Sequence, residues 1–371
     1  MATMRAARMH ALHQPFTVDE VEVPEPRPTD VLVQVKACGI VPNLGNVLNF
    51  LPEWWPHLTF PPLPAIFGLD VAGVVVATGA QVHGIEAGQR VYVNPGRHCG
   101  GCHACRTGDP QQCPAYTFSG YFGFGPGSAE LFADYPYGGL AEYMTAPLYS
   151  LVTIPDNLSF EGAARLGYLG TAYRALREAR VDSNSVVVVN GASGTLGVGA
   201  VLMALAMGAR KVLGIARNRG LLAQVEALDP HRVGVFSTVD AAEGDVAAWI
   251  RESSGGRGAD IVIDALQSGA EPQPLLEALA GLARGGRHVP VGGVLGALPI
   301  NLNVLMSNDQ RVVASLWFDT ADGQAMASMV ESGVLDLSVL EHEVFELEQV
   351  NEALAVIANR NGGFSNYVLK P

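Results

Sequence analysis

Apolar and polar positions follow two rhythms along the chain. Residues 9–12, 16–23 and 31–37 are short strand-like segments parted by turns carrying Pro24, Pro26 and Pro28, the texture of an irregular antiparallel β domain. A glycine-bounded strand over residues 68–79 continues through 88–93, and residues 139–144 regain strand character. The rhythm changes at Ser159, a residue type that caps helix N-termini, with Glu161 favourable in the first turn. Val186, Val187, Val188 and Val189 in a row predict a strand buried on both faces. A glycine-rich turn follows, then an apolar run that predicts a helix over 198–207, then a second strand over 211–217. Residues 260–264 and 286–292 add two buried strands around a helix over 274–283. Strands alternating with helices identify a doubly wound parallel sheet. Residues 338–371 revert to a strand, a helix over 347–358 and a last strand over 367–369, expected to pack back on the first region.

Two stretches carry neither rhythm. Residues 47–66 read as an apolar, proline-broken loop with adjacent Trp54 and Trp55, of which at least one is expected to line a cleft or a subunit contact. Residues 114–138 read as an aromatic, glycine-rich excursion with Tyr116, Tyr121, Phe122, Phe124, Tyr135 and Tyr137. A loop this long without its own structure is usually functional, and this one suits an apolar or aromatic small-molecule substrate.

The turn after the valine run carries the first chemistry. Ala192, Gly194 and Gly197 fill its three critical places, with Ser193, Thr195 and Leu196 between them. Small residues there let a dinucleotide pyrophosphate meet backbone N–H groups at the positive end of the helix, where a Cβ would hold it off. The strand before and the helix after supply the context that a bare glycine pattern lacks. At the end of the second strand, where an acidic residue would bind the ribose of NAD, stands Ala216. No Asp or Glu occurs between Arg210 and Gln224, and Arg217, Asn218 and Arg219 follow directly. A carboxylate there would repel a 2′-phosphate and a guanidinium can grip one, so NADP(H) is the expected cofactor.

Composition narrows the class. A chain of 371 residues suits two domains, and 49 % hydrophobic with 16 % charged residues describes a well-buried enzyme. The net charge of −13 disfavours nucleic acid and anionic membranes as partners. No secretory signal is apparent and no apolar run approaches about 18 residues, so a cytoplasmic, soluble protein is expected. In that reducing setting the five cysteines read as thiols or metal ligands. Cys99, Cys102, Cys105 and Cys113 have the spacing to wrap one Zn²⁺ tetrahedrally, and four protein ligands leave no open position. The site is therefore structural, one zinc per chain, and His98 and His103 beside it receive no metal role.

Several further pieces complete a pattern: Cys38-Gly39-Ile40, Gly68 and Asp70 with Ala72-Gly73-Val74-Val75, Gly139 with Ala141-Glu142-Tyr143, Thr171 to Leu176, and Val291-Gly292-Gly293. With the lobe and the turn, they make the chain resemble, over nearly its whole length, the medium-chain dehydrogenase/reductase superfamily, the zinc alcohol dehydrogenase and quinone reductase group. The resemblance implies a GroES-like β-rich catalytic domain over 1–156 and 316–371, with the zinc lobe at 95–114, and a Rossmann dinucleotide-binding domain over 157–315. It also implies a cofactor cleft, with Val291, Gly292 and Gly293 at the cofactor, and a homodimer or homotetramer. Alcohol dehydrogenases of this family hold a catalytic zinc through a Cys, a His and a second Cys. Here only the first remains, as Cys38; Leu69 takes the histidine's place and Gly167 the second cysteine's. Asn43 stands where a proton-relaying Ser or Thr would.

Without a Lewis acid to polarise a carbonyl, hydride must go to an acceptor that is already electron-poor, a conjugated C=C bond, a quinone or an iminium ion. Hydrogen bonds to the developing enolate or phenolate would stabilise it, from Asn43 and one of Tyr92, Tyr116 or Tyr121. Cys38 reads as a small buried residue rather than a nucleophile, and Asp70 as structural rather than a proton donor. The rival readings are an alcohol dehydrogenase with altered metal ligands, such as Cys38 with Asp70 and water, and a non-catalytic NADPH-binding regulator.

Overall fold

In a computed structural model, which describes residues 2–239, 245–359 and 362–371, the valine run is a central strand of a six-stranded parallel sheet. Val186–Asn190 pairs with Lys211–Ala216 on one side and Ala259–Asp264 on the other. Val233–Ser237 extends the sheet beyond Lys211–Ala216, and Leu282–Pro290 and Arg311–Val312 extend it beyond Ala259–Asp264. Counted in chain order the strands lie 3-2-1-4-5-6, the doubly wound arrangement whose ligand crevice opens where the order reverses. All four valines are fully buried, because helices cover both faces of such a sheet. The helix Thr195–Ala206 is buried nearly all round, which its composition allows.

The chain divides into two compact units. This sheet belongs to the second, Tyr168–Phe318 with Gly362–Phe364. The first comprises Met1–Gly167, Asp319–Asn361 and Ser365–Pro371. It runs past the boundary expected at residue 156, because the short helix Phe160–Ala163 packs on the strands Asp30–Gly39 and Asp70–Thr78. Ser159 caps that helix, its Oγ accepting the Gly162 N–H at 3.0 Å. The first unit is antiparallel in its main sheet except at Glu341–Glu346, which runs parallel to Ser365–Lys370. Ser365–Lys370 pairs in turn with Asp30–Gly39, so the C-terminal strands do pack on the first region.

The structure corrects several element boundaries. The first strand is Thr3–Met9 rather than residues 9–12, fixed by its antiparallel register with Thr17–Glu22. Residues 68–93 form two antiparallel strands, Asp70–Thr78 and Arg90–Val93, because the left-handed Gly84 and Gly88 turn the chain between them. Residues 47–66 are not all loop. Leu44–Trp54 is a helix, and Leu44, Val47 and Leu48 make its buried stripe at helical spacing. The excursion at 114–138 also has structure of its own, the strand Thr117–Phe118 and the helix Ser128–Asp134. Its rings pack on one another: Phe118 lies 5.0 Å from Phe124 and 5.6 Å from Tyr116, and Tyr121 lies 4.8 Å from Phe122. The helix expected over 347–358 begins as a single 3₁₀ turn, Leu347–Gln349, and becomes α-helical over Val350–Ala358.

Candidate active site and zinc lobe

The glycine-rich turn joins the valine strand to the helix Thr195–Ala206. Gly191 has φ +89°, a conformation that requires glycine. A Cβ on Gly197 would fall 2.1 Å from the Gly191 carbonyl oxygen, so glycine is needed there for close packing. Gly194 is different. Its φ of −84° and ψ of 171° suit any residue, and a Cβ there would meet only the Gly191 carbonyl oxygen, at an ordinary 3.4 Å. Nothing in the described chain demands glycine at 194, so its missing side chain leaves open the approach to the helix N-terminus. That opening fits a dinucleotide pyrophosphate, for which the first N–H groups of the helix lack intrahelical partners. Ser193, Thr195 and Leu196 are half-buried around it, and Ala192 is buried, its N–H bonded to the Ile215 carbonyl at 3.0 Å.

Arg217, Asn218 and Arg219 are all exposed just beyond the strand Lys211–Ala216. Asn218 also shapes the local backbone, since its Oδ1 accepts the Leu221 N–H at 3.1 Å and caps the next helix. Gly292 and Gly293 have a packing reason as well. Added Cβ atoms would fall 2.5 Å from the Leu266 carbonyl oxygen and 2.5 Å from the Ser268 Cα, so with Val291 they hold two strand-end loops together. At the reversal point the structure adds a buried pair that sequence reasoning passed over, Asn190 Nδ2 donating to Asp264 Oδ1 at 3.4 Å. Burial pushes the Asp264 carboxyl up to about 6, against the Leu266 N–H and Asn190. A polar residue ending each of two apolar strands was the available signal.

In the lobe of the first unit, the Sγ atoms of Cys99, Cys102, Cys105 and Cys113 all lie within 4.8 Å of one another. The closest pairs, Cys102 with Cys105 at 3.5 Å and Cys99 with Cys113 at 3.6 Å, approach the roughly 3.8 Å edge of a tetrahedron built on Zn–S bonds of about 2.3 Å. The N–H groups of Gly101 and Cys102 hold Cys99 down to about 7, whereas burial and Cys102 push Cys105 up to about 12, so an ion binding here displaces protons. His98 lies beside the site, as its place in the sequence suggests, with its Nδ1 3.6 Å from Cys105 Sγ.

A third cluster lies where Asp30–Gly39 pairs with Asp70–Thr78. Cys38 is fully buried, and Cβ atoms on Gly68 or Gly139 would each come within 2.8 Å of its Sγ. Burial, and secondarily the Asp70 charge, pushes its thiol well above the ordinary range. Asp70 is 1 % exposed and accepts the Tyr92 hydroxyl at 2.7 Å. Burial pushes its carboxyl up to about 7, opposed by the Tyr92 hydrogen bond, the Arg165 charge and the Gly167 N–H. Of the three tyrosines considered, Tyr92 is therefore the one brought to Asp70. Tyr121 and Tyr116 are buried in the aromatic excursion. Asn43 is half-buried just ahead of the helix Leu44–Trp54, its Oδ1 accepting from Asn46 Nδ2 at 3.1 Å.

Comparison with known proteins places the chain. Residues 27–156 match the alcohol dehydrogenase GroES-like domain and residues 195–332 the zinc-binding dehydrogenase domain. An alcohol dehydrogenase of Geobacillus stearothermophilus is 31 % identical over 353 residues, 94 % of each chain. The chain belongs to the medium-chain dehydrogenase/reductase superfamily. An NAD-dependent alcohol dehydrogenase of Sulfurisphaera tokodaii is 28 % identical over 366 residues, 96 % of this chain and 97 % of that one. A crystal structure of an NAD-dependent alcohol dehydrogenase superposes with a TM-score of 0.81 at 28 % identity, covering 99 % of this chain and 100 % of that one. This superfamily member is thus an oxidoreductase with a Rossmann sheet, a GroES-like region and a zinc-binding cysteine lobe.

The catalytic zinc of the alcohol dehydrogenases does not fit the third cluster. Leu69 is buried and apolar. A Cβ on Gly167 would stand 2.0 Å from Asp70 Oδ1 and 2.6 Å from Oδ2, so a cysteine cannot occupy 167 while Asp70 keeps its place. Among the described residues, the lobe is the one gathering of three or more His, Cys, Asp or Glu ligand atoms. The described helices include none long and apolar enough to cross a membrane.

Proposed function

We propose that this oxidoreductase is an NADPH-dependent reductase of an activated acceptor, a conjugated C=C bond, a quinone or an iminium ion, working without a catalytic metal and carrying one structural zinc. The observation that carries the reading is the carboxylate of Asp70 lying where a ligand at position 167 would have to be. With Tyr92 and the Gly167 N–H engaged on that carboxylate, it is committed to the protein rather than to an ion. Bound NADPH supplies the hydride. The N–H groups at the start of the helix Thr195–Ala206 would hold its pyrophosphate, and Arg217 and Arg219 would hold the 2′-phosphate through charge-assisted hydrogen bonds. Asn43, whose Oδ1 accepts from Asn46, is the candidate hydrogen-bond donor to the oxygen that gains charge. Tyr121 shapes the apolar wall of the acceptor site, Cys38 and Asp70 complete the packing behind it, and the cysteines at 99, 102, 105 and 113 bind the zinc. The protein acts as a cytoplasmic homo-oligomer, dimer or tetramer, on a small apolar or aromatic substrate.

Metal analysis of chelator-washed protein, paired with NADPH oxidation across enones, quinones and aldehydes, tests this. One zinc per chain with turnover of the activated acceptors is expected. Two zinc ions with reversible oxidation of simple alcohols would favour a dehydrogenase with altered ligands. Tight NADPH binding with no turnover on the panel would mark a regulator that has lost the chemistry.

A further inference from the structure

Three residues of the C-terminal segment, Gly362–Phe364, pack with the second unit. They pack on the turn that the cofactor reading uses. The Gly363 N–H donates to the Ser193 carbonyl at 2.8 Å. The approach is so close that a Cβ on Gly363 would stand 2.3 Å from the Gly194 carbonyl oxygen and 2.4 Å from Val198 Cγ2. Gly362 has φ +103°, and a Cβ on it would lie 2.7 Å from Leu221 Cδ2, on the helix Arg219–Ala227. The segment is therefore a strap wedged against the first helix of the sheet and the helix that follows its second strand.

The strap completes the fixing of one peptide plane. Gly194 N–H donates to the Gly191 carbonyl at 3.0 Å, which ties the inner end of the Ser193–Gly194 peptide. Gly363 ties its outer end, the Ser193 carbonyl. The next carbonyl, of Gly194, accepts the Val198 N–H at 2.8 Å and is the atom on which Gly363 lies. Each peptide unit points its N–H opposite to its C=O, so holding the Gly194 carbonyl sets the direction of the Thr195 N–H, the first of the helix, and holding the Ser193 carbonyl fixes the turn that leads into it.

We propose that Gly363 is a positioning residue for the cofactor pyrophosphate, aligning the anion-binding N–H groups from outside the turn. The proposal rests on the cofactor reading of that turn. Glycine is required because the obstacle is a backbone oxygen that no side-chain adjustment removes.

Fluorescence titration of NADPH on Gly363→Ala protein is the test, with Gly333→Ala as the control. Gly333 also has a left-handed φ, +76°, but a Cβ there meets nothing within 4 Å. We expect Gly363→Ala to weaken NADPH binding by about tenfold or more while zinc content and KM for the acceptor hold. Gly333→Ala should leave NADPH affinity alone. Val198→Ala combined with Gly363→Ala should not restore affinity, because the Gly194 oxygen stays. Should Gly363→Ala fail to fold, hydrogen exchange on the wild-type enzyme decides: the Gly363 amide should exchange more slowly once NADPH is bound. Unchanged affinity, or exchange indifferent to NADPH, overturns the strap while leaving the cofactor site standing. Wild-type protein that binds neither NADPH nor NADH overturns the reading of the turn itself.

Discussion

Gly167 and Asp70 exclude one another's alternatives: any side chain at 167 collides with a carboxylate that Tyr92 holds. Gly167→Ala should destabilise the protein by about 2–4 kcal/mol, the cost of overpacking against a buried polar group. Adding Asp70→Ala should recover part of it, with a coupling of about 1 kcal/mol or more in a denaturation double-mutant cycle. Additive effects would mean that the two groups do not meet. The raised Asp70 carboxyl gives a second expectation. A folded-state value near 7 against an ordinary 3.8 means that the unfolded chain loses this proton first. The contribution is thus fully present below about pH 4 and is lost as pH rises toward and through 7. Between pH 5 and 8 wild-type stability should fall by about 2–3 kcal/mol relative to Asp70→Asn, which cannot ionise there. Thermal melts of both proteins across that range check it, and parallel profiles would show the carboxyl to be unperturbed.

In the proposed function the junction of strand and helix decides cofactor preference, and there the arginines stand on an element whose geometry is already fixed. Asn218 caps the helix Arg219–Ala227, which leaves Arg217 and Arg219 exposed at its start. Arg217→Asp should raise KM for NADPH by roughly 10- to 100-fold, the loss of one or two charge-assisted hydrogen bonds, and should narrow or reverse the preference over NADH. Steady-state kinetics with both cofactors read this out, and equal loss for the two would point to a structural role. This junction was legible in the sequence because its parts are contiguous: four valines, the small turn, an apolar run, then basic residues with no acid. The cysteine lobe was legible for the same reason. The helix Leu44–Trp54 was not, because prolines and paired tryptophans at its end hide the stripe of Leu44, Val47 and Leu48. Tyr92 was legible as a candidate donor, but its pairing with Asp70 and the Gly362 strap were out of reach because the partners lie elsewhere in the sequence and are met only through tertiary packing.

At the scale of the whole molecule, the cysteine lobe and the proposed cofactor site lie in different compact units. The four cysteines belong to the first, whereas the turn, the arginines and the strap belong to the second. A four-thiolate zinc closes a loop whose own core is small, so its binding energy is folding energy for that lobe. The lobe helix His103–Thr107 buries no residue, and the 3₁₀ turn Pro110–Gln112 buries none either, so a zinc ion bound by the four thiolates would be the main thing holding them, with the flanking Cys113. Cys102→Ser should therefore drop zinc from one ion per chain toward none and lower the melting temperature by roughly 5–10 °C. The same change should leave NADPH affinity within about twofold, since sites without shared partners perturb one another by only a few tenths of a kcal/mol. Metal analysis, calorimetry and NADPH titration on the same preparation make the comparison. A Cys102→Ser protein that keeps its zinc would remove that thiol from the ligand set. One that loses zinc and NADPH affinity together would show the lobe to be coupled to the cofactor turn, a linkage that the division of residues between the units gives no physical reason to expect.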